Sequence, residues 1–185
     1  MANELKGLRV AALVAEGFEQ IELTGPREAL LAAGATVTLI SAERGQVQAF
    51  NHHDRADTFP IDLALDAAKP EQFDALLLPG GALSPDMLRT LPPAVAFVKS
   101  FFTARKPVAA ICHAAWTLVE ADVVRGRTLT SWPSIATDLR NAGATWVDRD
   151  VVVDGNLVTS RKPGDIPAFN AKTIELFAAA RVAST

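Results

Sequence analysis

A single cysteine in 185 residues is the scarcest feature of this chain, and the scarcity is informative. One thiol cannot form an internal disulfide, and it excludes any metal or cluster site built from several thiolates. No apolar run approaches the roughly 18 residues needed to cross a bilayer. The opening residues, Met1-Ala-Asn-Glu-Leu-Lys6, carry no apolar signal core. The 18 lysines and arginines are scattered rather than clustered and the net charge is −3, so no nucleic-acid surface is expected. No glycine-rich loop matches a dinucleotide or phosphate-loop fingerprint, and no repeat, low-complexity tract or linker interrupts the chain. The expectation is a soluble, reduced, cytoplasmic protein. With 49% hydrophobic residues, 1–185 suits one domain with a substantial core.

What is present alternates between strand and helix patterns. Leu8 to Val14 is a short, nearly continuous apolar run of the kind that forms buried parallel strands, and 35–40 and 73–78 read the same way. Helices are predicted over 26–33, with Pro26 in the first turn and Gly34 past the end, and over 93–104, 134–141 and 165–180. A short strand is expected at 128–132 and a hairpin at 151–159 on an Asp-Gly turn, while 45–68 reads as irregular. This order predicts an α/β fold: a mostly parallel central sheet, helices on both faces and a late hairpin.

In such sheets, sites form beyond the carboxyl ends of the strands. Three of those ends carry reactive or flexible residues: Glu16 to Glu19, Gly80-Gly81 and Cys112-His113. The apolar stretch Pro107 to Ile111 stops at Cys112, and a helix-forming run follows. A thiol at a strand-to-helix turn meets backbone N–H groups and the positive end of a helix, which favours an exposed, electropositive nucleophile over an inert core cysteine. His113 could serve as general base and acid if a sharp elbow turns both side chains to one cleft. Gly80 and Gly81 could present backbone N–H groups to an oxyanion, with the His113 N–H as the second donor. A carboxyl beside a thiolate, at Glu19 or one turn on at Glu22, would be driven toward its protonated form and donate to sulfur. His52-His53 lie in a polar loop without a third ligand at convincing spacing, so no metal is expected. Trp116, Trp132 and Trp146 read as core or interface aromatics.

Together, Ala15-Glu-Gly-Phe-Glu19, Leu76-Leu-Leu-Pro-Gly-Gly81 and Val108-Ala-Ala-Ile-Cys-His113 resemble the PfpI family. These are the intracellular cysteine peptidases and protein deglycases within the class I glutamine amidotransferase-like superfamily. Gly126 to Pro133, Asn141 to Ala144, Val151 to Gly155 and Thr159 to Pro167 extend the resemblance over nearly the whole chain. It implies a flavodoxin-like three-layer sandwich with Cys112 on a nucleophile elbow and no cofactor. Glu19 would hydrogen-bond the thiol, His113 would follow the nucleophile, and Gly81 and the His113 backbone would be the oxyanion donors. Asp86 falls where peptidase members place an acid that reaches the histidine of a neighbouring subunit, implying a homodimer or a hexamer of dimers. Ala114-Ala115 stand where many members have Gly-Pro, and Asp86 is a methylene shorter than the usual glutamate.

Two function classes follow. The first is a hydrolase in which Cys112 attacks a carbonyl carbon. Its substrates would be small aldehydes or glycated amines and peptides, handled by glyoxalase or deglycase chemistry, with peptide hydrolysis as the alternative. The second is a stress protein in which oxidation of Cys112 is itself the signal, or which acts as a holdase. Glutaminase action is not expected, because those enzymes place a His-x-Glu pair beyond the cysteine and no histidine follows His113. No helix-turn-helix pattern supports transcriptional regulation.

Overall fold

The computed structural model describes residues 3–182. The first half of the chain runs β1 (Arg9–Val14), β2 (Phe18–Glu19), α1 (Gln20–Ala32), β3 (Thr36–Ser41), β4 (Gln46–Asn51), β5 (Asp54–Pro60), β6 (Leu63–Ala64) and β7 (Ala75–Leu78). Then come α2 (Leu83–Arg89), α3 (Pro92–Thr103), β8 (Val108–Ile111), α4 (Ala115–Glu120), β9 (Thr128–Leu129), α5 (Ala136–Asn141), β10 (Thr145–Trp146), β11 (Val151–Asp154), β12 (Leu157–Ser160) and α6 (Ile166–Val182). Seven strands form the main sheet in the order β11-β12-β8-β7-β1-β3-β6. All neighbours are parallel except β11 against β12, the late hairpin. None of the described helices is long and apolar enough to cross a membrane.

The continuous apolar runs are explained by burial on both faces of the sheet. Ala11 and Leu13 of β1, Leu76 and Leu78 of β7, and Val108 and Ala110 of β8 pack into one core with Phe97 and Phe101 of α3 and Leu118 of α4. Their alternates Val10, Ala12, Leu77, Ala109 and Ile111 pack into the other with Leu23 and Leu30 of α1 and Phe169 and Phe177 of α6. Period-two alternation is therefore present, but both classes of position are apolar, as a doubly covered parallel sheet requires.

The sequence reading departs from the structure in four places. The stretch 45–68, expected to be irregular, contains the β4–β5 hairpin, and β2 pairs with β4 as a separate three-stranded sheet. Its strands alternate too weakly to read, because β5 buries almost nothing. Helix α1 begins at Gln20, so Pro26 lies inside it, buried, rather than in its first turn. Gly25 precedes that proline and has no Cβ to clash with its ring, which eases the restriction on the preceding residue. Helix α2 falls where the sequence pattern predicts no element; Ser84 and Pro85 are buried in it, and Ser84 Oγ accepts the Ala15 N–H at 2.9 Å. Finally, β10 pairs with β9 in a two-stranded sheet that the sequence did not reveal.

Phe101 is fully buried and lies 5.3 Å from the Phe97 ring, in the core opposite the one that holds Val47 and Ala49 of the β4–β5 hairpin. Phe101→Ala should lower stability by about 3–5 kcal/mol, read as a reduced urea midpoint at unchanged m-value. The pH profile of Cys112 alkylation should stay unaltered in that variant.

Candidate active site

Strands β1, β7 and β8 are parallel neighbours, so their carboxyl ends open onto the same edge of the sheet. Cys112 is the residue immediately after β8 and holds φ = 65°, a left-handed conformation rare for a residue with a side chain. The chain turns there into a single 3-10 turn and the six-residue α4. This elbow brings Cys112 Sγ to 3.2 Å from His113 Nδ1 although the residues are adjacent. Ala114 and Ala115 are both buried and accommodate the turn without the Gly-Pro pair.

The glycines after β7 allow the second wall to approach. Gly81 has φ = 84°, and a Cβ there would lie 2.6 Å from the Glu19 nitrogen and 2.7 Å from the Gly17 oxygen. A Cβ on Gly80 would lie 2.6 Å from Cys112 Cβ. Neither position tolerates a side chain. The Gly81 and His113 N–H groups both pull the thiol pKa down, which puts the two expected oxyanion donors close to the sulfur. Gly80 is committed elsewhere: its N–H donates to Glu22 Oε2 at 3.0 Å.

The carboxyl at the thiol is therefore Glu22, and the assignment of that role to Glu19 is corrected. Glu22 is wholly buried in the first turn of α1 and interacts directly with the Cys112 side chain. Its Oε1 has no hydrogen-bond partner among the described residues. Glu19 lines the same cavity from β2, but its Oε2 accepts the His52 N–H at 2.9 Å. A helix starting at Gln20 aims Glu22 under the sulfur, whereas a helix starting at Pro26 would leave both glutamates in a loop.

Burial pushes the Glu22 carboxyl up to about 8; the Cys112 contact opposes this and the charge of Glu19 adds to it. Cys112 is only 6% exposed, so the expected electropositive, exposed setting is not what the structure holds. Burial pushes the thiol up, the Glu22 charge adds to that, and the Gly81 and His113 N–H groups pull it down. Burial also lowers the pKa of His113. At neutral pH the imidazole is thus neutral and able to accept a proton, and Glu22 is protonated and able to donate one to a thiolate.

His113 is held between two indoles. Trp132 stacks on it at 5.7 Å with planes 23° apart, and Trp116 packs at 5.1 Å, anchored by its Nε1–H to Asp138 at 2.8 Å. The Trp132 N–H donates to the Cys112 carbonyl at 3.2 Å. Trp132 is therefore part of the site rather than a core aromatic. Trp116 and Trp146 pack against the core as expected, Trp146 with its Nε1–H on Ser131 Oγ. The β4–β5 turn delivers His52 and His53, and the loop after β12 delivers Pro163, closing a cavity of about 310 Å³ over Cys112. Sequence reasoning gave none of these three a role, since each comes from a turn. Asp86 lies exposed on α2 and does not line this cavity within one chain.

The proton on Glu22 has a measurable effect on stability. Unfolded, the group titrates at its ordinary value near 4.5; folded, it titrates near 8. Between those values the native state binds the extra proton, so stability falls as pH rises. Glu22→Gln should abolish that fall and exceed the wild type in unfolding free energy at pH 8 by on the order of a few kcal/mol, read from urea titrations, with the gap closing toward pH 4.5. Parallel midpoint curves across this range would contradict the assignment.

Residues 8–176 match the model of the DJ-1/PfpI family. Protein/nucleic acid deglycase 2 of Escherichia coli is 43% identical over 172 residues, 92% of this chain and 98% of that protein. General stress protein 18 of Bacillus subtilis is 42% identical over 171 residues, 92% of this chain and 98% of its own length. The crystal structure of Drosophila melanogaster DJ-1beta superposes with a TM-score of 0.84 at 30% identity, covering 92% of this chain and 90% of that one. Those neighbours share the flavodoxin-like arrangement described above, and the chain belongs to the DJ-1/PfpI family.

Proposed function

We propose that this chain is a cysteine-dependent hydrolase of reactive carbonyls, of the deglycase or glyoxalase type. The observation that carries the reading is the small cavity of about 310 Å³ over Cys112, with the thiol 3.2 Å from the His113 imidazole that burial keeps neutral. That volume lies at the low end for ligand sites and suits a few-carbon carbonyl or one modified side chain. Relatives named as deglycases support the same reaction class.

With methylglyoxal, Cys112 Sγ attacks the aldehyde carbon while its proton passes to His113 Nδ1. The resulting hemithioacetal oxygen is steadied by the Gly81 and His113 N–H groups. Moving the C1 proton to C2 through a neighbouring base converts the adduct to a lactoyl thioester. Water cleaves the thioester, so that methylglyoxal and one water give lactate and the free thiol. Glu22 donates to sulfur each time it carries charge. With a carbinolamine adduct, the C–N bond would break with a proton delivered to the amine as the C–S bond forms, giving the same hemithioacetal, from which the path continues unchanged. Peptide hydrolysis would use the same thiol through a thioester, with Asp86 of a neighbouring subunit completing a triad in a homodimer or a hexamer of dimers. The cavity is small for an extended peptide, which ranks that activity second.

Lactate formation from methylglyoxal should be measurable in the wild type and absent in Cys112→Ala, while Cys112→Ser keeps the wild-type urea midpoint and loses turnover. Equal turnover in Cys112→Ala would refute the thiol mechanism, and turnover of peptides alone would reverse the ranking. The kcat/KM profile should be bell-shaped, with an acid limb below pH 6.5 from His113 and an alkaline limb near 8 from the Glu22–Cys112 pair. Glu22→Gln should move the alkaline limb and leave the acid limb in place.

A further inference from the structure

In a catalytic triad the histidine that takes the nucleophile's proton is held by a carboxylate on its other nitrogen, which orients the ring and stabilises the imidazolium. His113 has no such partner. Its Nδ1 lies 3.2 Å from Cys112 Sγ, and among the described residues the histidine within ion-pair distance of a carboxylate is His52. What the imidazole does meet is an indole on each of two sides, Trp132 at 5.7 Å and Trp116 at 5.1 Å between ring centroids. Both distances fall within the roughly 6 Å over which a cation is attracted to an aromatic ring. Trp116 in turn holds an acid, since its Nε1–H donates to Asp138 Oδ2 at 2.8 Å. Asp138 enters no ion pair with any described residue. The other charged groups around this pair are engaged. Glu22 takes the Gly80 N–H and keeps its proton at neutral pH, and Glu19 accepts the His52 N–H. His52 and His53 line the cavity from the hairpin tip. Arg89 of α2 lies 5.6 Å from the Trp116 ring and is paired with Glu120 of α4 at 3.6 Å.

Rotation of the imidazole about its bond to Cβ would carry Nδ1 away from the sulfur, and the two indoles flank the ring against that rotation. Trp116 resists only as firmly as its own indole is fixed. Its N–H on a carboxylate is a charge-assisted hydrogen bond, stronger than a neutral one. The same bond polarises the indole and makes its ring more negative. When the Cys112 proton passes to Nδ1, sulfur becomes a thiolate and His113 an imidazolium; no other proton moves, and Asp138 keeps its charge. The cation so formed lies against two indoles, one of them tied to an anion. We infer that Asp138 is a positioning residue, and that Trp116 and Asp138 together do for His113, within one chain, what the acid of a triad does by direct contact. The inference rests on the reading of Cys112 and His113 as a proton-exchanging pair; the support given to His113 can be measured without turnover.

The test is the titration of His113 in the full chain, followed by NMR of its three imidazoles with His113→Gln identifying the signal, alongside kcat and KM for lactate formation from methylglyoxal. Asp138→Ala should lower the His113 midpoint, because the imidazolium loses support, and carry the acid limb of kcat/KM to lower pH with it. At pH 7.5 kcat should fall on the order of tenfold with KM little changed. Asp138→Asn keeps an acceptor for the indole N–H and should recover most of that loss. Trp116→Phe keeps a ring but no N–H and should match Asp138→Ala, and combining the two should cost no more than either alone. An Asp138 that merely braced α5 would lower the urea midpoint and leave the His113 midpoint and the acid limb in place. That result in a folded Asp138→Ala overturns the inference, as do losses that multiply in the double variant. A larger shift of His113 in Asp86→Ala than in Asp138→Ala would give the role to a neighbouring subunit's acid and overturn it too. Should Asp138→Ala not fold, Trp116→Phe carries the same comparison against wild type, and an unmoved His113 midpoint there overturns the inference. A shifted midpoint in a protein that makes no lactate would overturn the hydrolase reading and keep the positioning role. Lactate formation with an unshifted midpoint would overturn the positioning role alone.

Discussion

The hydrogen bond from the Gly80 N–H to the Glu22 carboxyl joins the end of a central strand to the first turn of a helix on one face of the sheet. Most of the site depends on that contact. It holds a protonatable carboxyl against the thiol, and it fixes the turn that carries Gly81 to the sulfur. The backbone of Glu19 adds a second tie, donating to the Gly80 carbonyl at 3.1 Å. Because Gly80 and Gly81 have no side chains, these backbones approach closer than any substituted pair could. The elbow at Cys112 is held from the other side by the Trp132 N–H on its carbonyl. A left-handed residue with a side chain is a strained choice, and it persists here because the flanking structure determines it from both sides.

The fold was legible because its signals are local. Four buried parallel strands announce themselves as apolar runs, and the Asp-Gly turn marks the late hairpin at 151–160. Cys112, His113 and Gly81 were legible for a related reason, since each punctuates a strand end. Glu22 was harder. Choosing it over Glu19 requires knowing that α1 starts at Gln20, and Pro26 advertises a later start. The His52-His53 turn and Trp132 were illegible as site residues. Nothing near them in sequence shows that a hairpin packs its tip over the elbow, or that the indole of Trp132 stacks on the imidazole of His113. Such relations are tertiary, and a pattern of hydrophobicity does not encode them.

Burial is the common cause behind the electrostatics of the site. It keeps the imidazole neutral, keeps Glu22 protonated and holds the thiol in reserve, so three groups that would each ionise differently in water are set to exchange protons with one another. A more exposed cysteine would be a more reactive thiolate at rest, and a less selective one. Here charge on sulfur is stabilised by fixed donors rather than by solvent, which couples reactivity to whatever occupies the cavity.

The order β11-β12-β8-β7-β1-β3-β6 places the first strand of the chain near the middle of the sheet, while the cavity gathers residues from positions 19 to 163. No fragment of the chain contains the site, and no hairpin can form it early. Its parts meet only after the parallel crossovers have closed, which is the slow, long-range portion of folding for a topology of high contact order. Closure of the cavity is therefore a late-arriving property of the whole sheet. During synthesis Cys112 emerges well before the loop carrying Pro163 and spends that interval without the enclosure that surrounds it in the folded chain.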